Sequence, residues 1–295
     1  MANVISKGTL FPAELTGELL NLVKGESALA QLAGRSPLSF NGNTVFTFSL
    51  DKEVALVDEN EAKSNGGATI GSVTIKPVKI EYGARVSNEF MFASDEYRIN
   101  VLKEFSEGFA KKMASGLDIM AIHGLEPRTG AAATTIIGSN HFDAAVTQTV
   151  TATADANADV ESAIALVVAN GYRVNGLATG LAFNAALAAQ LKSNGDPMFP
   201  ELGWGASPDV VRGLRYRANG TVDYTGTTDN ALVGDFGMFR WGIAKEIPLE
   251  VIPYGNPDND ASAGDLKGHN QVYLRAEAFL GWGILDADAF ALITT

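Results

Sequence analysis

Between Thr44 and Val86 the chain alternates apolar and polar positions with a period of two, which predicts extended strands. Phe46, Phe48 and Leu50 alternate with Thr47 and Ser49 on the outgoing limb, and Val73, Ile75 and Ile80 mark the return after a turn at Asn65-Gly66-Gly67. Limbs of about 13 residues would reach about 43 Å at about 3.3 Å per residue. A compact chain of this length has a radius of gyration near about 19 Å, so such an arm projects from its own body. A two-stranded ribbon is marginal in water, so the pattern predicts that another copy of the protein covers one face.

The period then changes to that of a helix. Ser94 is a natural N-cap, Asp95 and Glu96 suit the positive end of a helix, and Gly124 can end it. Leu102, Phe105, Phe109, Met113, Leu117 and Met120 form one apolar stripe, with Lys103, Glu104, Glu107, Lys111 and Asp118 largely off it. Gly108 and Gly116 each cost roughly 1 kcal/mol relative to Ala inside a helix, which predicts close approach of another backbone there. Upstream, Leu15, Leu19, Leu22 and Val23 have helical spacing broken by Gly17 and Gly25 and closed by Gly34 and Pro37. From about Gly130 a mixed α/β region is expected, with a helix near Asp159 to Ala169, a strand near Leu177 to Phe183 and a helix from Asn184 to Lys192. Further strands are expected near Ile243 to Ile252 and Val272 to Leu280, flanking the turn-rich Asn256-Pro257-Asp258-Asn259-Asp260.

Composition narrows the function. The 295 residues, 46% of them hydrophobic, suffice for a substantial core. There is no Cys, which removes disulfides, thiolate metal sites and Cys nucleophiles. No run approaches the ~18 apolar residues of a membrane span, and a net charge of -12 argues against phosphate-driven nucleic-acid binding. The sequence has no Walker A, Gly-x-Ser-x-Gly or His-Glu-x-x-His motif, and the pairs Gly203/Gly205 and Gly281/Gly283 open no dinucleotide fingerprint. His123, His141 and His269 lie far apart and suggest no catalytic or metal site. Asp258, Asp260 and Ser262 mimic the start of a calcium loop, but Ala263 and His269 stand where Gly and Glu are needed, so a solvated turn is expected. Asp58, Glu59 and Glu61 are read as charges that keep an exposed edge from aggregating, and Trp204, Trp241 and Trp282 as core or interface residues. No cofactor is expected.

Four stretches in order resemble the HK97-type major capsid proteins of tailed phages. These are Phe11-Pro12 with the helical sequence after it, Gly42-Asn43-Thr44-Val45, Val86-Ser87-Asn88-Glu89 leading to a helix that ends Asp118-x-x-x-Ile122-x-Gly124, and Asn270-x-x-x-x-Arg275-Ala276-Glu277 before Ala289-Phe290-Ala291. The resemblance implies an α+β, HK97-like capsid fold. Its parts would be an N-terminal arm (1–40), an extended β-hairpin loop (41–85), a peripheral domain with a long spine helix (86–130 and 241–284) and an axial domain (131–240 and 285–295). Gly234-Asp235-Phe236 is similar to an axial-domain motif, and Phe290 to Ile293 would return to that domain as the last strand.

By the same resemblance the chain is a non-enzymatic shell subunit, assembling as hexamers and pentamers around double-stranded DNA that it does not read by sequence. A portal and decoration proteins are implied partners. With residues 1–40 alone before the arm, either a separate scaffolding protein or an already processed chain is implied, and Met1 favours the former. Interface candidates are Phe46, Phe48, Leu50, Val73, Ile75, Gly108, Asn270, Arg275 and Glu277. One family member joins a loop lysine to an asparagine seven residues before a glutamate; Asn270 and Glu277 have that spacing, but the lysine's place falls near Ser72, so no covalent cross-link is expected and Glu277 is read as buried against Arg275 or a neighbour's lysine. The nearest alternative is an encapsulin-like nanocompartment shell, against which Phe11-Pro12 and the long arm argue; a soluble α/β enzyme and a tail or decoration protein are the others.

Overall fold

The computed structural model describes residues 26–63, 65–203, 206–245 and 249–295. The helical spacing of Leu15 to Val23, the Phe11-Pro12 motif and Trp204 therefore lie outside the described residues. Among the described residues no helix is long and apolar enough to cross a membrane.

Two sheets share one long helix. A short helix α1 (Ala28–Leu32) precedes a two-stranded antiparallel hairpin, β1 (Asn43–Leu50) and β2 (Ala68–Ile75). Strand β3 (Val78–Ser87) leads through a 3₁₀ turn at Asn88–Phe92 into α2 (Asp95–His123). The next elements are α3 (Phe142–Ala145), β4 (Thr149–Thr151), α4 (Ala156–Ala169), β5 (Gly176–Thr179) and α5 (Leu181–Ala188). Strands β6 (Val210–Val211), β7 (Leu214–Ala218), β8 (Asp229–Gly234), β9 (Phe239–Lys245), β10 (Leu249–Ile252), β11 (Gln271–Ile284) and β12 (Phe290–Thr294) complete the order.

Strand β11 organises the first sheet. It pairs along one edge with β3 and along the other with β10 and then β9, all antiparallel. The second sheet is mixed, in the order β4-β12-β8-β5-β7-β6, so the last strand of the chain is an interior one. Alternation along its strands separates two cores. Ala231, Val233, Ala291, Ile293 and Leu177 pack under α4 and α5, whereas Leu232, Leu292 and Ala178 face the core that contains α1 and α2. The two sheets meet at an aromatic cluster in which Phe290 lies edge-on to Phe142 (4.9 Å between ring centroids) and Phe236 (5.5 Å). The Gly234-Asp235-Phe236 motif is the crossover from one sheet to the other: Asp235 caps the turn by accepting from Gly237 N at 2.9 Å, and Phe236 drops into the cluster.

Helix α2 begins and ends where its caps require. Ser94 Oγ accepts from Tyr97 N, and Gly124 adopts the left-handed conformation (φ 66°) that stops the helix. The amphipathic pattern holds only over its middle. Lys103, Glu104, Lys111 and Lys112 are exposed beside buried Leu102, Phe109 and Met113, with Phe105 half-buried, but from Gly116 to His123 the helix is at least mostly buried all round, Asp118 included. The single-stripe expectation fails there because α1 and the second sheet enclose that end. Among the described residues of the chain itself, no backbone approaches the two helix glycines closely. A Cβ at Gly108 would meet no described atom of its own chain within 4 Å, and one at Gly116 would touch only side chains, Pro127 first at 3.5 Å.

The other corrections are local. The return limb of the arm breaks at Pro77, which has no N–H for a ladder; Val73 and Ile75 stay with β2, while Ile80 belongs to β3 and the first sheet. The paired limbs are eight residues each, about 26 Å long, and residues 51–63 and 65–67 lie outside the ladder in place of the tight turn. Asn184 is interior to α5, whose N-cap is Gly180, because its side chain accepts from Tyr216 Oη at 2.6 Å across the sheet.

Candidate assembly surface and the polar network behind it

The hairpin presents one apolar face to solvent. In the observed register Phe46 lies opposite Ser72, Phe48 opposite Ile70 and Leu50 opposite Ala68, so these side chains share a face. Phe46, Phe48, Leu50 and Ile70 are 73%, 64%, 69% and 70% exposed. Val54 and Leu56 add to this at the tip, among the exposed charges of Asp58, Glu59 and Glu61. Four large apolar side chains in a row are an unusual solvent face for a two-stranded ribbon.

The opposite face of the hairpin is rooted in its own chain. Ile75 is 3% exposed, and Val73 is half-buried above it. Both rest on Gly283 of β11, where a Cβ would lie 2.8 Å from Ile75 Cγ1 and 3.5 Å from Val73 Cγ1. At Gly281 a Cβ would lie 2.6 Å from Leu38 Cδ2 and 3.0 Å from the Lys76 carbonyl oxygen. The Gly281/Gly283 pair thus makes a slot for the hairpin root, the close approach that glycine in a strand commonly marks. The entering segment is tied by Ser36 N to the Trp241 carbonyl (2.8 Å) and by Asn43 Nδ2 to the Pro37 carbonyl (2.6 Å). Trp241 and Trp282 are fully buried behind this root.

A charge ladder crosses the outer face of the first sheet. Lys79 on β3 pairs with Glu277 on β11 at 2.9 Å, Glu277 with Arg275 at 3.5 Å, and Arg275 Nη2 donates to Glu250 on β10 at 2.7 Å. Glu277 is half-buried, not buried, and its lysine partner comes from its own chain. Asn270 sits beyond the ladder, exposed, in the left-handed conformation (φ 53°) that turns the chain into β11.

The loop that mimics a calcium site does hold a cation, but a covalent one. Arg85 of β3 donates from Nε and Nη2 to both Asp258 oxygens (2.8 and 2.5 Å), from Nη2 to Asn256 Oδ1 (2.7 Å) and from Nη1 to the carbonyls of Ala263 (3.0 Å) and Gly264 (3.1 Å). The bidentate guanidinium holds the Asp258 carboxyl down at about 2. The expected solvated turn is therefore wound around an arginine 173 residues away in sequence.

Behind the surface, the buried end of α2 carries two polar centres. Asp118 accepts from Ser27 Oγ (2.5 Å), Ala28 N (2.8 Å), Leu29 N (3.1 Å) and Thr221 Oγ1 (2.8 Å), so it caps α1 and ties it to the loop before β8. Burial pushes its pKa up, while these donors oppose that shift. One turn and a half later, His123 Nε2 donates to the Thr221 carbonyl at 3.1 Å, and Nδ1 faces Asp143 Oδ2 (3.2 Å) and Asp229 Oδ2 (2.9 Å). Burial alone would lower the His123 pKa; the two carboxylates reverse this and raise it to about 9. The sequence showed the histidines as isolated residues without a site, and the structure adds a neighbourhood to one of them. His123 does end a helix, but the fold brings it to two aspartates 20 and 106 residues away, a grouping that spacing alone cannot show.

The sequence-derived interface residues therefore fall into separate places. Phe46, Phe48 and Leu50 share the exposed hairpin face; Val73 and Ile75 serve its root; Gly108 is exposed on α2; Arg275 and Glu277 lie in the charge ladder, with Asn270 at its end. The roles of Gly283, Arg85, Asp118 and His123 escaped sequence reasoning, although the in-strand pair Gly281/Gly283 was a usable signal.

Comparison with known proteins agrees with this architecture. The model of the phage capsid family matches residues 7–295. A solved chain from Mycobacterium phage Ogopogo is 31% identical, with a TM-score of 0.76 over 91% of this chain and 92% of that one. A chain from Gordonia phage Cozz is 24% identical (TM-score 0.75; 91% and 86% covered), and the capsid of an empty GTA particle shares the fold at 15% identity (TM-score 0.65; 91% and 89%). Comparison with curated proteins gives no match. The α+β architecture is HK97-like, and the chain belongs to the phage capsid family. It is a structural capsid subunit of a bacteriophage.

Proposed function

We propose that this chain builds an icosahedral phage head, arranged as hexamers and pentamers around double-stranded DNA that it contacts without sequence preference. The observation that carries this reading is the apolar hairpin face. Covering Phe46, Phe48, Leu50 and Ile70 is worth about 1.5–3 kcal/mol each before ordering costs are subtracted. A neighbouring copy supplies that cover, and a modest contact repeated around a closed shell becomes effectively irreversible. Family membership supports the same conclusion.

In this reading the peripheral domain takes 86–130 and 241–284, and the axial domain 131–240 and 285–295, each with its own sheet; β3 adds residues 78–85 to the peripheral part. The hairpin is the extended loop, and the charge ladder and the exposed face of α2 at Gly108 are further contact surfaces. A scaffolding protein and a portal are the expected assembly partners, decoration proteins attach later, and assembly proceeds in the host cytoplasm to give a virion component without enzymatic activity.

Negative-stain electron microscopy of the purified chain over a range of salt concentrations tests this. Closed shells, or rings of five and six, are expected. Small uniform particles that stay ringless even when a phage scaffolding protein is co-expressed would overturn it.

A further inference from the structure

The end of the spine helix gathers an imidazole nitrogen and two carboxylates around one point, where either a proton on the ring or a metal ion can hold them together. His123 Nε2 is committed as a donor to the Thr221 carbonyl at 3.1 Å, the arrangement by which metal-binding histidines commonly fix their tautomer. With Nε2–H engaged there, Nδ1 is the atom that faces Asp143 Oδ2 (3.2 Å) and Asp229 Oδ2 (2.9 Å), and a metal ion bound there takes the place of the Nδ1 proton. Asp229 is 4% exposed, and its Oδ2 lies in the ion pair with His123 without a well-aligned hydrogen bond. All three donor atoms lie within 4.8 Å of one another.

We propose that His123 Nδ1, Asp143 and Asp229 form a site for one divalent transition-metal ion of the zinc or manganese kind. Bond lengths of about 2.1 Å to nitrogen and oxygen give ligand-to-ligand edges of about 3.0 Å in octahedral and about 3.4 Å in tetrahedral geometry. The two edges that meet at Nδ1, 2.9 and 3.2 Å, are of that size. An imidazole with two carboxylates favours zinc or manganese over calcium and magnesium, which prefer all-oxygen shells. Asp143 is 31% exposed, so the ion has a way in and room for water ligands. Tyr224 stacks on the imidazole at 6.5 Å. The three ligands come from the end of α2, the first turn of α3 and the start of β8, so a bound ion bolts the spine helix to the second sheet.

The test uses the full-length chain, stripped with a chelator and titrated by calorimetry with Zn²⁺, Mn²⁺, Ca²⁺ or Mg²⁺. Uptake of about one Zn²⁺ per chain, a raised melting temperature, and loss of both in Asp143→Asn are expected, with weaker or no response to Ca²⁺ and Mg²⁺. Asp258→Asn, at the surface loop, should leave uptake unchanged. X-ray absorption on the zinc-loaded wild-type chain needs no variant: a nitrogen donor with carboxylate oxygens at about 2.0–2.2 Å is expected. No uptake, uptake unchanged in Asp143→Asn, or an all-oxygen shell would each overturn the proposal.

Discussion

Ile75 of β2 sits so tightly on Gly283 of β11 that a Cβ there would lie 2.8 Å from Ile75 Cγ1. The glycine makes the slot and the isoleucine fills it, anchoring a hairpin whose other face is apolar and exposed. Gly283→Val should therefore force the root out of its slot, a wedge costing about 1–3 kcal/mol, whereas Ile75→Ala leaves a cavity costing about 2–4 kcal/mol. Both should impair shell formation by misplacing the hairpin. Denaturant unfolding of the dissociated subunit and sedimentation of assembly products report the two effects separately.

Substitution of the outward face should do the reverse. Phe46→Asp with Phe48→Asp changes side chains that touch little in the subunit, so its unfolding midpoint should move by no more than about 0.5 kcal/mol. Shell yield should nevertheless collapse, because the cover each hairpin seeks would bury two carboxylates. Wild-type shell yield from this double variant would remove the hairpin face from the assembly surface.

Which features were legible beforehand follows from their range in sequence. Ser94 and Gly124 bracket the spine helix because caps are local chemistry, and the alternation of Phe46, Phe48 and Leu50 identifies a strand without a partner in view. The tip differs from expectation because Asn65-Gly66-Gly67 has the composition of a tight turn, yet Gly67 closes the ladder on a residue 16 positions back, its N–H donating to Asp51 Oδ1 at 2.7 Å. Asp118 looked like a solvated helix residue since nothing nearby in sequence names its donors, Ser27 and Thr221. Arg85, likewise, has no local mark of the loop it will organise.

Asp118 is expected to be the most sensitive polar position of the subunit. Asp118→Ala strands the Ala28 and Leu29 N–H groups and the Ser27 and Thr221 hydroxyls without an acceptor. Buried groups stripped of their partner cost about 1–3 kcal/mol each, with incomplete addition, so a loss of about 3–5 kcal/mol is expected. Asp118→Asn should be intermediate, since one oxygen remains to accept. Chemical denaturation of the three proteins checks the order.

No boiling-resistant ladder should form on denaturing gels of assembled shells. Glu277 is already paired with Lys79 and Arg275 of its own chain, which occupies the carboxylate that would assist an attacking lysine. A ladder whose cross-linked peptide contains Asn270 would show that the ladder of charges opens on assembly.

The clasp of Asp258 on Arg85 gives a pH dependence with a definite sign. The Asp258 carboxyl is held at about 2, below its ordinary 3.8, so the folded loop binds its proton less readily than the unfolded chain does. Its stabilisation is therefore fully present above about pH 4 and is lost as pH falls through 2. Pepsin should consequently leave residues 254–270 intact at pH 4 and cut them near pH 2 before the core opens. Arg85→Lys should move that cutting to higher pH, because an ammonium cannot reproduce the fork that grips both Asp258 oxygens and the Ala263 and Gly264 carbonyls. Identical cleavage profiles for Arg85→Lys and the wild type across this range would show that the loop is held by something other than the guanidinium.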